Sequence, residues 1–335
     1  MNILSFYNEE WEQDYLRERL SGHDITFLSG TIQDHPDLKD DKVEILSVFV
    51  KSSIRADELD RFPNLKYIAT RSTGFDHIDI EEAKKRDIVV SNVPFYGANT
   101  VAEHAFALLL SLSRRICESY ERVVETGNFS PEGLRGFDLK GKTIGIVGTG
   151  HIGAHTARMA KGFEMNILGY DVRENEDVKK ETGLQYRSLE DLLAESDIVS
   201  LHAPYNEHTH HMLNMDNMKN LKKGAYIINT ARGGLIETGA LVKYLEDGTL
   251  AGAGLDVLEE EDYMLDHVAL LTEPHPNPEA LKIILANQYL IDHPQVLISP
   301  HNAFNTEGAI KRILDTTASN IEAASEGKAE NIVNG

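Results

Sequence analysis

Short runs of β-branched and aliphatic residues alternate with longer polar, helix-compatible stretches along almost the whole chain. This alternation constrains the fold most, because it is typical of βαβ units whose parallel sheet is buried on both faces. The predicted strands of the first third are Ile3–Tyr7, Ile25–Leu28, Ile45–Val50, Tyr67–Thr70 and Ile88–Val93. A second series begins at Lys142, with predicted strands Thr143–Val147, Asn166–Tyr170, Ile198–His202, Ala225–Asn229, Gly254–Val257 and Val296–Ser299. We therefore expect an α/β protein with two parallel sheets.

Three segments outside these strands complete the predicted organisation. The stretch from Asn99 to Thr126 has apolar residues at helical spacing and is predicted to form one long helix. A last helix, from Thr306 to Glu326, follows the second series, and we expect it to pack back on the first domain. The stretch from Glu260 to Pro294 is acidic, then rich in proline, then apolar, and is predicted to be a loop with helical pieces.

The size and charge of the chain limit the classes of function. With 335 residues the chain is longer than a domain with a single hydrophobic core usually is, so we expect two domains. Its net charge of −21 repels phosphate backbones and anionic lipids, which argues against nucleic acid and membrane surfaces as partners. Cys117 is the single cysteine, and the acidic stretch from Met1 to Leu20 lacks the features of a signal peptide, so we expect a cytoplasmic protein.

A glycine-rich turn follows the first strand of the second series. Gly148, Gly150 and Gly153 form a G-x-G-x-x-G motif between that strand and a predicted helix. Such glycines allow a tight turn, a close approach of the backbone to a pyrophosphate and close packing of the helix on the strand. The next strand ends at Asp171, whose carboxylate suits ribose hydroxyls and repels a 2′-phosphate. The sequence therefore predicts a dinucleotide site that favours NAD over NADP.

Three further strand ends carry groups suited to the oxidation of a hydroxy acid. Arg232 follows one strand, the acidic run from Glu259 to Glu261 follows the next, and His301 follows the last. Open α/β sheets bind ligands at the carboxyl ends of their strands. An arginine binds a carboxylate and polarises a carbonyl, and a histidine exchanges the hydroxyl proton. A neighbouring carboxylate favours the protonated histidine.

With these segments in place, the sequence resembles the D-isomer-specific 2-hydroxyacid dehydrogenase family over essentially the whole chain. The resemblance is carried by Gly148-x-Gly150-x-x-Gly153, Asn229-Thr-Ala-Arg232-Gly233, Gly254-Leu-Asp256 followed by Glu261, Ser299-Pro300-His301, the loop from Arg71 to Asp79, and Asn92 to Tyr96 followed by Val101 to His104. It implies two doubly wound parallel-sheet domains with a cleft between them. Residues 1–100 and 304–335 would form a flavodoxin-like substrate-binding domain, and residues 101–303 a Rossmann NAD-binding domain.

The resemblance also implies a role for each site residue. The catalytic residues would be Arg232, Glu261 and His301, with His301 protonated and paired with Glu261. The substrate would be bound by the backbone of Thr73 and Gly74, the Tyr96 hydroxyl and Arg232, with Phe304 lining the pocket. The cofactor would be NAD, held by Gly148, Gly150, His151, Ile152, Gly153, Asp171, His202, Ala203, Pro204, Thr230, Ala231 and Asp256. Asp256 would bond the carboxamide or support Arg232, although it could equally cap a neighbouring turn.

No metal is expected. His208, His210 and His211 follow a predicted strand end and are interpreted as solvated loop residues rather than as zinc ligands. Glu259 and Glu260 are interpreted as a solvated acidic face, with Glu261 singled out by its spacing from Asp256.

Several functions within and beyond the family are compatible with these motifs. Tyr96, the Arg71 loop and the long segment from Glu261 to His301 look most like D-lactate dehydrogenases, so the predicted reaction is reversible hydride transfer between NADH and pyruvate. Alternatives are a reductase of glyoxylate, hydroxypyruvate or a branched or aromatic 2-keto acid, and a non-catalytic NADH-sensing interaction protein. A formate dehydrogenase would be expected to have glutamine in place of Glu261. The helix from Asn99 is the expected surface of a homodimer, as in relatives.

Overall fold

The computed structural model describes residues 1–7, 9–261 and 277–335. The chain forms two compact units, the first made of Met1–Tyr96 and Asn305–Gly335 and the second of Gly97–Phe304. Each unit contains one sheet, and the paired strands of both sheets run parallel. The predicted fold class of two parallel-sheet α/β domains is confirmed.

The first unit has a five-stranded sheet in the order β2-β1-β3-β4-β5. Its strands are β1 Asn2–Tyr7, β2 Asp24–Ser29, β3 Ile45–Val48, β4 Tyr67–Thr70 and β5 Val89–Ser91. Its helices before the second unit are α1 Glu10–Arg19, α2 Ala56–Leu59 and α3 Ile80–Lys85. This strand order is that of flavodoxin-like folds, in which the order reverses between the first and third strands.

The core of the first unit is completed from the far end of the chain. The helix Glu307–Ser325 buries one face against this sheet. The residues of that shared cluster include Ile3, Ile45 and Tyr67 from the sheet and Leu314, Ala318 and Ile321 from the helix. The opposite face of the sheet is covered by a separate cluster that includes Leu4, Leu46 and Ile68. Both faces are therefore apolar, as a parallel sheet requires.

The second unit has a seven-stranded sheet in the order β12-β11-β10-β9-β6-β7-β8. Its strands are β6 Thr143–Val147, β7 Asn166–Tyr170, β8 Gln185–Tyr186, β9 Ile198–Leu201, β10 Ala225–Asn229, β11 Leu250–Leu255 and β12 Val296–Ile298. Its α-helices within the described residues are α4 Ala98–Arg114, α5 Ile116–Thr126, α6 His151–Gly162, α7 Glu176–Thr182, α8 Leu189–Glu195, α9 Thr238–Glu246 and α10 Pro278–Asp292. The helix Glu307–Ser325 of the first unit is α11. The order reverses between β6 and β9, and such a switch point is where doubly wound sheets bind ligands.

The predicted single helix from Asn99 to Thr126 is wrong, because the chain breaks between α4 and α5. Arg115 adopts a left-handed conformation with φ of 50°. The carbonyl of Ser113 accepts a hydrogen bond from the backbone N–H of Phe137 at 2.9 Å. A Cβ on Gly136 would lie 1.9 Å from that carbonyl oxygen, so only glycine lets this segment approach the helix end. A tertiary contact, which local periodicity does not reveal, therefore ends α4.

The predicted strand Gly254–Val257 is placed too late, since β11 spans Leu250–Leu255. Gly252 and Gly254 lie inside the strand rather than at a turn. A Cβ on Gly252 would lie 2.6 Å from the Gln295 carbonyl oxygen, and one on Gly254 would lie 3.0 Å from Cβ of Leu108. These glycines allow close packing, which gives the strand a turn-like sequence.

Part of the segment predicted to be a loop with helical pieces is a regular helix. Helix α10 spans Pro278–Asp292, and the side chain of Asn277 caps it by accepting a hydrogen bond from the Glu279 N–H. Asn287 and Leu290 of α10 are buried. Residues 262–276 of the same segment lie outside the described residues.

Candidate active site

The glycine motif lies at the switch point of the second sheet. Gly148 directly follows β6 with φ of +90°, and a Cβ there would lie 2.7 Å from the backbone nitrogen of Ala203, which follows β9. A Cβ on Gly153 would lie 2.0 Å from the Gly148 carbonyl oxygen. Gly148 and Gly153 are therefore required by packing within the protein.

Gly150 differs from the other two glycines, because a Cβ there would meet no protein atom within 4 Å. Gly150 is the N-cap of α6, whose first residues are His151 and Ile152. Because glycine has no side chain, it provides no cap for the N–H groups at the start of the helix. A helix N-terminus with open space in front of it suits an anionic group. The buried Thr230 Oγ1, after β10, lacks a hydrogen-bond partner among the described residues. These features fit the pyrophosphate of a dinucleotide.

Asp171 follows β7 and is tied to the glycine turn. Its Oδ2 accepts a hydrogen bond from the Thr149 N–H at 2.6 Å, and its Oδ1 accepts one from the Arg173 N–H at 3.0 Å. Oδ2 also accepts from the Thr149 hydroxyl at 3.1 Å. A carboxylate accepts about four hydrogen bonds, so Asp171 keeps capacity for about one more, from a ribose hydroxyl.

The segment after β9 contains His202, Ala203 and Pro204. Nε2 of His202 lies 2.9 Å from Oγ of Ser200 and 3.0 Å from Oγ1 of Thr156. Burial lowers the pKa of His202 to about 3, so its imidazole is neutral at pH 7. Its Nδ1 is buried without a hydrogen-bond partner in the described part of the chain. His202 therefore brings no charge to this edge of the sheet.

The loop after β10 holds Arg232 in a fixed position. The Asn229 side chain accepts from the Ala231 N–H at 3.0 Å and donates to the Arg232 carbonyl at 2.9 Å. A Cβ on Gly233 would lie 2.0 Å from the carbonyl carbon of Leu258. The loop that carries Arg232 therefore packs directly against the loop after β11, which carries Glu261.

Glu261 and His301 lie together at this edge of the sheet. Oε1 of Glu261 lies 2.6 Å from Nδ1 of His301, and both side chains are about one third exposed, 36% and 29%. A carboxylate only accepts, so Nδ1 carries the proton of this hydrogen bond and Nε2 is left to act on a ligand. Because β10, β11 and β12 are neighbours, Arg232, Glu261 and His301 follow three adjacent strands.

Asp256 clamps the backbone around His301. Its carbonyl accepts from the His301 N–H at 2.8 Å, and its carboxylate accepts from the N–H groups of Asn302 and Ala303, each at 2.8 Å. His301 has φ of 50°, a conformation that an L-residue adopts only when its surroundings hold it. Of the two roles expected for Asp256, the structure shows the turn-capping one.

His104 of α4 belongs to this clamp, a role that no local pattern in the sequence indicates. The Ser299 hydroxyl donates to Oδ1 of Asp256, and Nε2 of His104 lies 2.8 Å from Oγ of Ser299 and 3.3 Å from Oδ1 of Asp256. Burial opposes ionisation of Asp256, but bonds from His104, Ser299 and the two backbone N–H groups lower its pKa below the ordinary value. The buried carboxylate is therefore charged at neutral pH.

Two predictions about the surrounding loops are wrong. Glu259 is not a solvated residue: its side chain is 11% exposed, and Oε1 lies 2.6 Å from Nε2 of His211. His211 is likewise not a solvated loop residue, since it makes this pair and stacks on His210 with ring centroids 3.8 Å apart. Pairing across distant segments explains both errors. His208 is 86% exposed.

In the first unit, the loop after β4 carries Thr73 and Gly74. Arg71 turns inward, where it is fully buried and donates to Oε2 of Glu12 at 2.7 Å. Thr73 donates its hydroxyl to the Val93 carbonyl at 2.8 Å, and its own carbonyl accepts from Asn92 Nδ2 at 2.8 Å. The guanidinium of Arg71 is thus used inside the unit, and the backbone of the loop is fixed by neighbouring side chains.

The remaining predicted substrate residues lie near the ends of the units. The Tyr96 carbonyl accepts from Nε of Arg312 in the first unit, and Phe304 is the last residue of the second unit. None of the described helices is long and apolar enough to cross a membrane. Among residues 1–7, 9–261 and 277–335, no three His, Cys, Asp or Glu side chains are grouped so that they could hold a metal ion.

Comparison with known proteins identifies the class. The family model "D-isomer specific 2-hydroxyacid dehydrogenase, NAD binding domain" matches residues 106–303. A 2-hydroxyacid dehydrogenase homolog of Zymomonas mobilis is 37% identical over 98% of both chains. A glyoxylate reductase of Thermofilum pendens is 39% identical over 85% of this chain and 79% of its own length. The structure of D-lactate dehydrogenase from Aquifex aeolicus, complexed with NAD and lactic acid, has a TM-score of 0.87 and 35% identity, covering 100% of this chain and 99% of its own.

Together with these similarities, a doubly wound sheet with a dinucleotide motif at its switch point makes the chain an oxidoreductase that binds NAD. The chain belongs to the D-isomer-specific 2-hydroxyacid dehydrogenase family. Its predicted family and its predicted cofactor, NAD, are confirmed.

Proposed function

We propose that this protein reduces pyruvate to D-lactate with NADH, reversibly, and that the second unit binds NAD while the first binds part of the substrate. The observation that carries the proposal is the 2.6 Å contact between Glu261 Oε1 and His301 Nδ1, next to the Arg232 loop. A protonated histidine oriented by a carboxylate, together with an arginine, is the set of groups that reduction of a 2-keto acid requires.

His301 acts as the proton donor in this scheme. When bound, the reduced nicotinamide supplies the hydride that the keto carbon receives. As negative charge develops on the carbonyl oxygen, Nε2 of His301 donates its proton to that oxygen. Glu261 stabilises the imidazolium before the transfer, and in the reverse direction the neutral imidazole takes the hydroxyl proton back.

Arg232 binds the substrate carboxylate, because a guanidinium forms two parallel hydrogen bonds with a carboxylate. The N–H groups of Thr73 and Gly74 and the Tyr96 hydroxyl complete its contacts, and Phe304 packs against the substrate side chain. Gly150, His151, Ile152 and Gly153 offer backbone N–H groups to the pyrophosphate. Asp171 accepts from the ribose hydroxyls and disfavours NADPH through charge repulsion.

Pyruvate is proposed as the substrate because the similarity to a D-lactate dehydrogenase spans the full length of both chains. Glyoxylate is the second candidate, because several relatives of 39 to 44% identity are glyoxylate reductases, although they match 66 to 85% of this chain. The two substrates differ by one methyl group, which an apolar pocket discriminates by only about 1–3 kcal/mol.

The test is a comparison of kcat/KM for pyruvate, glyoxylate, hydroxypyruvate and phenylpyruvate with NADH and with NADPH, followed by chiral chromatography of the product. We expect pyruvate with NADH to give the highest value and D-lactate as product. A higher kcat/KM for glyoxylate would replace the first candidate by the second. Arg232→Lys should raise the KM for pyruvate roughly a hundredfold, since an ammonium cannot make the bidentate contact. NADH binding without turnover of any 2-keto acid would refute the enzymatic proposal.

We also propose that the protein is a homodimer that uses α5. This helix exposes Ile116, Tyr120, Val123 and Val124 by 53, 68, 43 and 63%. Their spacing places them on one face of the helix, and such a patch marks an association surface. Sedimentation analysis should give a dimer, and Val124→Glu should dissociate it, whereas Glu121→Gln on the same helix should not. A monomeric wild-type protein at micromolar concentration would refute this assignment.

A further inference from the structure

The turn from Leu258 to Glu261 carries three glutamates in a row, and two of them, Glu259 and Glu261, differ in how deeply they are buried. Glu261, which lies against His301, is 36% exposed, whereas Glu259 is 11% exposed. Glu260, between them, is exposed and has φ of 55°, so the backbone reverses there. The mechanism proposed above uses only Glu261, yet the protein buries Glu259 more deeply.

Glu259 is bound by three separate elements of the second unit. Its Oε1 lies 2.6 Å from Nε2 of His211, in the loop after β9. Its Oε2 accepts from the Thr238 hydroxyl at 2.7 Å and from the Thr238 backbone N–H at 3.4 Å, at the first turn of α9. Its backbone carbonyl accepts from Nδ2 of Asn287 in α10 at 2.7 Å, and Asn287 is fully buried.

Glu261 has fewer anchors within the described residues. Its Oε1 contacts His301, and its Oε2 accepts from the Leu258 N–H at 3.2 Å, which is a bond within the same turn. Within the described residues, the position of Glu261 therefore depends on the position of the turn, and Glu259 fastens that turn to three other elements of the unit. Gly233 contacts the backbone of Leu258 and Glu259, which leaves the turn little room to move in that direction.

We propose that Glu259 is a positioning residue that holds Glu261 against His301 through His211, Thr238 and Asn287. The inference rests on the proposed roles of Glu261 and His301. Helix α10, within the long segment between these two residues, then contributes to catalysis by fixing the turn.

A positioning role differs from a direct electrostatic role in what glutamine can replace. The side chain in Glu259→Gln keeps an oxygen that accepts from the hydroxyl and the backbone N–H of Thr238, and its amide group donates to Nε2 of a neutral His211, so the turn stays in place without the charge. Alanine at the same position removes both contacts. Rescue by Glu259→Gln therefore separates position from charge.

The experiment measures pyruvate reduction over a pH series for Glu259→Ala, Glu259→Gln, Glu261→Gln and the double variant Glu259→Ala/Glu261→Gln. Glu260→Gln, with an exposed neighbouring carboxylate, is the matched control. We expect Glu259→Ala to lower kcat at least about tenfold, since small displacements of catalytic groups have effects of this size, with the KM for NADH unchanged. Its rate should fall off at lower pH than that of the wild type, as in Glu261→Gln. Glu259→Gln should recover most of kcat, and the double variant should equal Glu261→Gln alone.

Thr238→Val gives a second route if Glu259→Ala does not fold, because it removes one donor to Glu259 and keeps the side-chain shape. It should shift the pH profile in the same direction by a smaller amount. An active wild type in which Glu259→Ala or Thr238→Val keeps the normal pH profile would overturn the inference, as would a Glu259→Gln variant as impaired as Glu259→Ala. A wild type that turns over no 2-keto acid would instead refute the proposed function.

Discussion

The loop that carries His301 in the second unit and the loop that carries Thr73 in the first are both fixed by hydrogen bonds between their backbone and neighbouring side chains. Those side chains differ in charge. The His301 loop is fixed by the ionised carboxylate of Asp256, which accepts from the N–H groups of Asn302 and Ala303. The Thr73 loop is fixed by a series of three side-chain amides. Asn92 donates to the Thr73 carbonyl at 2.8 Å, and Asn320 donates to the Asn92 carbonyl at 2.8 Å. Asn331 in turn donates to Oδ1 of Asn320 at 2.7 Å.

This difference in charge matches the different proposed roles of the two loops, proton donation by His301 and binding of the substrate carboxylate by the Thr73 loop. The carboxylate of Asp256 accepts from backbone N–H groups of the His301 loop, whereas a carboxylate near the Thr73 loop would repel an anionic substrate. Two like charges at 4 Å cost about 4 kcal/mol at an effective dielectric constant of 20. Neutral amides fix the loop without that repulsion. The chain carries a net charge of −21, so where its carboxylates lie matters more than how many it has.

The strongest test of the charged side of this comparison is Asp256→Ala. It leaves the N–H groups of Asn302 and Ala303 without their acceptor and releases the backbone of His301. We expect kcat for pyruvate reduction to fall by roughly a thousandfold. Asp256→Asn keeps one acceptor oxygen and should lose less. Equal kcat values for Asp256→Ala and the wild type would show that the clamp does not position His301.

Glu261→Gln tests the charge that faces His301 directly. The variant keeps the size of the side chain but replaces the carboxylate that contacts His301 Nδ1 by a neutral amide, and a neighbouring negative charge favours a protonated imidazole. We expect kcat to fall by about a hundredfold, and the alkaline limb of the reduction profile to move to lower pH. Rates measured from pH 5 to pH 9 check this, and an unchanged profile would contradict the pairing.

Asn320→Leu tests the neutral side. It removes the amide that donates to the Asn92 carbonyl and should loosen the Thr73 loop. We expect the KM for pyruvate to rise about tenfold, with a smaller change in kcat, because loop contacts contribute mainly to binding. The pH profile should stay that of the wild type. A shifted pH profile would contradict the distinction between the His301 loop, fixed by a carboxylate, and the Thr73 loop, fixed by neutral amides.

The smallest expected effect concerns stability. Because hydrogen bonds lower the pKa of Asp256 in the folded protein, its ionised form stabilises the fold above the unfolded value of about 3.9. That contribution is lost as the pH falls through the lower, folded pKa. The difference in unfolding free energy between wild type and Asp256→Asn, of order 1–2 kcal/mol, should be constant from pH 7 to pH 5 and should narrow below about pH 4. Urea unfolding measures it, and the Asn320→Leu difference should not change over the same range.

Local patterns were sufficient to predict the fold class and the tight glycine turn between β6 and α6. Strand–helix alternation indicates parallel sheets, and Gly148 and Gly153 are required by contacts of the turn with neighbouring backbone. The clamp by Asp256 could be predicted only in part, because the sequence indicates a strand end but not which N–H groups fold back on it.

What could not be predicted depends on contacts between distant segments. His211 and Glu259 are far apart in sequence, so nothing local distinguishes Glu259 from the exposed Glu260. His104 lies on a helix that precedes the whole second sheet, and its partner Ser299 lies near that unit's end. The break at Arg115 depends on Gly136 in the same way.

The discontinuous first unit has a consequence for biosynthesis. Its core includes Leu314, Ala318 and Ile321, which are synthesised after the second unit, because that unit is encoded without interruption between the two halves. One face of the N-terminal sheet therefore lacks the contacts of α11 until the entire second unit has been synthesised. Domains usually fold in the order of their synthesis, but here the second unit is the first that can be complete. In a nascent chain halted before α11, the NAD-binding unit should accordingly resist protease, whereas the N-terminal segment should be cleaved.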